Sequence, residues 1–165
     1  MRAMPADDPL THFSAAGEAH MVEIESKPET SRRAVAMARV RMAPATLQRI
    51  AGGQVGKGDV LGVARIAAIG ASKRCAELIP LCHPVRITAV SVTFELLDEL
   101  PGVEVRAEVR AIDRTGPEME ALTAASVGAL TIYDMCKAMD RGMVLEQVAL
   151  LVKQGGKSGH WQREA

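Results

Sequence analysis

The sequence has 165 residues, with 20 Lys plus Arg against 20 Asp plus Glu and 48% hydrophobic residues, a length and balance that suit one soluble domain with a core of its own. A formal net charge of zero supplies no global field to draw the chain to nucleic acid or to an anionic membrane. Aromatic residues are only 2% (Phe13, Phe94, Tyr133 and Trp161), which leaves almost no rings on which bases can stack.

Residues 1–10 carry Pro and Asp without periodicity and read as a flexible N-terminal tail; they hold no apolar stretch of the kind a signal peptide needs. The alternation over His20-Met21-Val22-Glu23-Ile24-Glu25 predicts a half-buried strand, as does that from Ala36 to Met42. Pro44 opens a short helix through Ile50, and residues 52–58, with four glycines, read as a loop. Asp59 is placed to cap a following helix whose last turn holds Lys73 and Arg74. Pro80 and Pro84 bracket a rigid connection. Two strongly alternating runs, 87–96 and 103–109, are separated by an acidic Pro-Gly turn and predict a hairpin. Thr115 and Glu118 have the spacing of a capping box ahead of a long helix reaching about Met139. A last apolar strand, 148–152, precedes a tail rich in Gly and Lys. Interspersed helices and paired antiparallel strands predict an α+β fold. The apolar run 121–133 is shorter than the roughly 20 residues that cross a bilayer, and Cys75, Cys82 and Cys136 contain no CxxC pair. The chain is therefore expected in the cytoplasm, with its thiols reduced.

The long helix is the most informative element. At 100° per residue, Glu120, Thr123, Ser126, Thr131, Asp134 and Lys137 share one stripe on an otherwise apolar helix. Either that stripe faces water, with Asp134 and Lys137 an i,i+3 ion pair, or it lines a pocket where the pair can set each other's protonation. Lys57 stands between two glycines, where backbone amides can approach an anion, but Ala51 and Gly58 break the P-loop pattern. Leu151 breaks it for the tail lysine, Lys157. Taken alone, Lys57, Lys153 and Lys157 are either anion ligands or solvated lysines. Cys82 and His83 sit between two prolines; His83 is a structural hydrogen-bonder, a substrate contact or a metal ligand, although adjacent Cys and His make no zinc framework. No metal and no cofactor is expected. His12 and His20 read as bland, and Trp161 as a packing or interface residue.

Taken together, several segments resemble the cyclic pyranopterin monophosphate synthase family, also called molybdenum cofactor biosynthesis protein C. The most specific are Leu78-Ile79-Pro80-Leu81-Cys82-His83-Pro84 and residues 116–137 of the long helix, through Met119-Glu120-Ala121-Leu122-Thr123 and Tyr133-Asp134-Met135-Cys136-Lys137. Residues 10–12, 15–22, 57–60, 64–67 and 155–159 also match, so the likeness spans about residues 10–160 and makes 11–165 a single catalytic domain.

The resemblance implies a ferredoxin-like antiparallel sheet packed against helices, assembled as a homohexamer, a trimer of dimers, with sites shared between subunits. It implies a lyase that converts (8S)-3′,8-cyclo-7,8-dihydroguanosine 5′-triphosphate to cyclic pyranopterin monophosphate with loss of pyrophosphate. By the same resemblance Asp134, Lys57 and Lys137 are catalytic. Leu81, Cys82, His83, Met119 and Glu120 contact the substrate, and Arg32 and Lys153 match further residues near the site. Clustered cations suit a triphosphate, so Arg32, Lys153 and Lys157 are expected to hold its phosphates. A Lys–Asp pair in a partly dry pocket suits proton transfers during ring rebuilding, best with the lysine pKa lowered towards neutrality. Two other classes compete: a zinc cyclohydrolase, which would need ligand spacing the sequence lacks, and a nucleotide-binding scaffold without turnover.

Overall fold

The computed structural model describes residues 12, 16–53 and 58–164. The expected tail at 1–10, and Lys57 with most of its glycine-rich loop, lie outside the described residues.

The elements run β1 (Thr30–Arg41), α1 (Pro44–Ala51), α2 (Val60–Ser72), α3 (Cys75–Leu78), β2 (Ile87–Leu97), β3 (Gly102–Asp113), α4 (Glu118–Cys136), β4 (Val144–Gln154) and β5 (His160–Gln162). The sheet order is β2-β3-β1-β4-β5, and every pair is antiparallel. Without β5 this is the β-α-β-β-α-β ferredoxin-like arrangement. The expected α+β fold is what the chain adopts.

Strand alternation divides the sheet into two faces. On one, Ala34, Ala36, Ala38 and Val40 of β1 and Val103, Val105, Ala107 and Val109 of β3 are fully buried under the helices. Small side chains let α4 approach closely, meeting the sheet with Ala121, Ala124, Ala125 and Ala129, all without solvent exposure. At Gly128 an added Cβ would stand 3.0 Å from Val105 Cγ1 and 3.4 Å from Ala68 Cβ, so α2, α4 and β3 converge there. The other face carries ion pairs: Arg33–Glu108 at 2.7 Å, Arg39–Glu104 at 3.2 Å and Arg106–Glu104 at 2.6 Å.

Local signals account for most boundaries. Pro44 occupies the first turn of α1, where a missing N–H costs nothing. Asp59 caps α2 as expected, its carboxylate accepting from Gly62 N at 2.8 Å. The hairpin expected from the two alternating runs is β2–β3, in continuous register from Ala89↔Arg110 to Leu97↔Gly102.

Four expectations need correction. Residues 20–25 half-bury Val22 and Ile24 as their alternation requires, but make no strand, because their backbone joins no sheet ladder. The capping box does not form: Pro117 is the N-cap of α4 and offers no side-chain cap. Glu118 is thereby the first helical residue instead of the third, and its carboxylate turns to Lys153 at 2.5 Å. The last strand is longer than its apolar run, spanning Val144–Gln154 across a register irregularity near Gln147, which has φ 54°. Finally, the Gly-Lys-rich tail turns back and adds β5 to the edge.

Candidate active site

Among the described residues, the site residues singled out in the sequence fall into two groups, at opposite ends of α4. The larger group surrounds its N-terminus. There Leu81, Cys82, His83 and Met119 line a cleft of about 570 Å³. Arg32, Lys153 and Lys157 line a second cleft of about 960 Å³. Thr115, Gly116 and Glu118 line both, so the clefts adjoin across the N-terminal turn of α4.

The tail turn assembles the basic cleft. Gly155 and Gly156 have φ values of +96° and +72°, a region that favours glycine. A Cβ on the first would collide with the Ser31 carbonyl oxygen, and on the second with the Arg32 guanidinium. Only glycines therefore let this turn lie against the start of β1, with Lys153 before it and Lys157 after it. Arg32 is 8% exposed and lines this cleft. Its Nε donates to Asp113 O at 3.0 Å and its Nη2 to Arg114 O at 2.9 Å, so it braces the cleft wall. Two cations that sequence reasoning passed over, Lys27 and Arg114, also line this cleft. Neither has a local motif; only the folding of β3 against β1 brings them there.

The neighbouring cleft has a different character. Pro80 and Pro84 hold the segment between α3 and β2 without helix or strand, and His83 is half-buried in it. His12, read as bland from sequence, lies on the same cleft. Glu120 does not line it. Its side chain is buried, 2% exposed, behind Cys82, whose Sγ is 3.9 Å from Glu120 Oε1. Burial, with the negative charge of Glu118 adding to it, pushes the Glu120 carboxyl up to about 7. Burial first, and then the Glu120 charge, push the Cys82 thiol up to about 12. In the metal-free protein at neutral pH Cys82 is thus a neutral thiol, not a nucleophilic thiolate.

The smaller group is Asp134 and Lys137, joined at 2.6 Å with both side chains more than half exposed. The polar stripe of α4 is therefore neither wholly wet nor wholly buried: Glu120 is inside, whereas Asp134 and Lys137 are in the open. The hydrogen bond from Lys137 to Asp134 raises the lysine pKa. That is opposite to the lowering a base would need, so within one chain Lys137 is a firmly charged donor. Glu120 and Asp134 are 14 residues apart, about 21 Å at the helical rise. Contacts of Cys75 with Thr123, and of Gly128 with Ala68, make α2 and α4 antiparallel. Gly58 and Asp59, at the start of α2, thus belong to the same end as Asp134.

An α+β chain with a ferredoxin-like sheet, a basic cleft and an adjoining cleft lined by His, Cys and Met has the features of an enzyme for a small anionic substrate. The comparison with known families is specific: residues 21–156 match the MoaC family. The chain belongs to that family, whose members are enzymes of molybdenum cofactor biosynthesis, and it acts in that process. No helix among the described residues is long and apolar enough to cross a membrane.

Proposed function

We propose that the chain is a cytoplasmic cyclic pyranopterin monophosphate synthase, a lyase that takes the cyclised GTP derivative named above and releases pyrophosphate. The observation that carries this reading is the pair of adjoining clefts. A nucleoside triphosphate derivative has one strongly anionic end and one heteroaromatic end. The cleft with Lys153, Lys157, Arg114 and Lys27 matches the first, and the cleft with Leu81, Cys82, His83 and Met119 matches the second.

In this reading Lys153 and Lys157 hold the phosphates and stabilise charge on the departing pyrophosphate. Arg32 fixes the wall they project from. His83 contacts the guanine-derived ring, with Glu120 behind it holding Cys82 in place. Lys137 and Lys57 move protons, and Asp134 orients Lys137. Because Asp134 is about 21 Å along α4 from Glu120, with Lys137 three residues further on, the site is completed between copies, Asp134 and Lys137 of one chain meeting the clefts of another. A homohexamer built as a trimer of dimers fits this arrangement. It is supported by the apolar side chains that α2 and α4 expose, among them Ile66 at 74% and Leu130 at 56%.

Two measurements test the reading. Purified protein incubated with the cyclised substrate is expected to yield pyrophosphate and a pterin in equal amounts; binding without turnover would leave a scaffold. Asp134→Ala and His83→Ala chains, each inactive alone, are expected to regain part of the turnover when unfolded and refolded together. No recovery in mixtures that do form hetero-oligomers would refute the shared site.

A further inference from the structure

Cys75, Cys82 and Glu120 come from three separate pieces of the chain: α3, the proline-bracketed segment after it, and α4. Their donor atoms all lie within 4.8 Å of one another. The two sulfurs are 3.9 Å apart, and Cys82 Sγ is 3.9 Å from Glu120 Oε1. Metal–sulfur bonds of about 2.3 Å and metal–oxygen bonds of about 2.0 Å on a tetrahedral zinc set two sulfurs about 3.8 Å apart and sulfur and oxygen about 3.5 Å apart. The two distances to Cys82 Sγ thus stand within a few tenths of an ångström of that geometry, and the third, between Cys75 and Glu120, is no more than 4.8 Å.

A second observation points the same way. The other carboxylate oxygen, Glu120 Oε2, is buried and has no hydrogen-bond partner. An unsatisfied buried carboxylate oxygen is costly, and a bound cation would relieve it. Cys75 and Glu120 also line a small cleft of about 160 Å³ that opens beside Ser72 and Pro84, giving an ion a way in.

We propose that Cys75, Cys82 and Glu120 form a binding site for one thiophilic divalent cation of the zinc type, with its fourth position open to water. The donor set of two sulfurs and one oxygen selects zinc over magnesium or calcium, which prefer oxygen alone. The ion would pin Cys82, and with it the Leu81-to-His83 wall of the ring cleft. On the reading of that cleft given above, bound zinc then inhibits turnover.

The test uses cobalt(II) as a spectroscopic stand-in and does not depend on that reading. Reduced, chelator-treated protein titrated with cobalt is expected to develop a near-ultraviolet sulfur-to-cobalt absorption that saturates at one ion per chain and is reversed by zinc. Cys75→Ala and Cys82→Ser should each abolish saturation at one equivalent. Glu120→Gln, nearly the same shape, should keep the sulfur band but weaken binding at least tenfold. Cys136→Ala should change nothing. A protein that shows no such band, or a band that Cys75→Ala leaves undiminished in folded protein, would overturn the proposal. If the site binds cobalt but zinc leaves turnover unaffected, the metal site stands and its effect on the ring cleft does not.

Discussion

Asp134 and Lys137 are joined in the open, and an exposed pair of this kind contributes little to folding. Asp134→Ala is therefore expected to leave the thermal unfolding midpoint nearly unchanged while lowering turnover by about a hundredfold or more, the usual scale for losing a positioned proton-transfer group. A variant that lost both in parallel would make the pair structural. Gly156 behaves in the opposite way. Gly156→Ala puts a side chain into a left-handed conformation and against the Arg32 guanidinium. It should cost about 2 kcal/mol in denaturant unfolding and weaken pyrophosphate binding at the basic cleft, as calorimetry can measure. At this scale the Asp134–Lys137 ion pair was legible in the sequence, and the partner of Glu118 was not. A T-x-x-E spacing looks the same whether the glutamate caps a helix or reaches a lysine 35 positions on. Pro117, by starting the helix two residues late, decided between them.

Helix α4 is made to be covered. Its sheet-facing positions are alanine and glycine, so its contribution to stability lies in close approach and in a few large side chains such as Ile132, which is fully buried. Ile132→Ala is expected to destabilise the protein by about 2–5 kcal/mol. Gly128→Leu has no room between Val105 and Ala68 and should cost about 1–3 kcal/mol by overpacking. Both are measured by urea unfolding, with an unchanged slope expected for each. The alternation of β2 and β3 was readable because each strand turns one side towards the core. The strand expected at 20–25 failed for a related reason. Alternation reports that one side is buried, not that a neighbouring strand is present to take the backbone hydrogen bonds. β5 was missed for the converse reason: it is only three residues long, exposed, and held by pairing with β4.

Over the whole molecule, the open face of the sheet carries charges that pair across β1 and β3, Arg33 with Glu108 and Arg39 with Glu104, and along β3, Arg106 with Glu104 and Arg110 with Glu108. Its pH response follows from Glu108. The hydrogen bond from Arg33, supported by that from Arg110, holds this carboxyl below its ordinary value of 4.5. A lowered folded-state pKa contributes stability that is present above pH 4.5 and lost as the pH falls through the folded value. Thermal unfolding of the parent should thus decline more steeply below pH 4.5 than that of Glu108→Gln, with the two curves running parallel near neutrality. Equal slopes on the acid side would remove Glu108 from the account.

The sequence by itself determined the α+β class, the hairpin, the α2 cap and the family. Each of those rests on neighbours in the chain: periodicity, turn residues, or an unbroken motif such as residues 78–84. Only the tertiary structure decided that Lys153 and Lys157 share a cleft with Arg114, that Glu120 is buried against Cys75 and Cys82, and that Asp134 is a helix length away from them. Those relations join residues far apart in sequence through the antiparallel pairing of β1 with β3 and β4 and the packing of α4 across that sheet, and no local pattern encodes a distance of that kind.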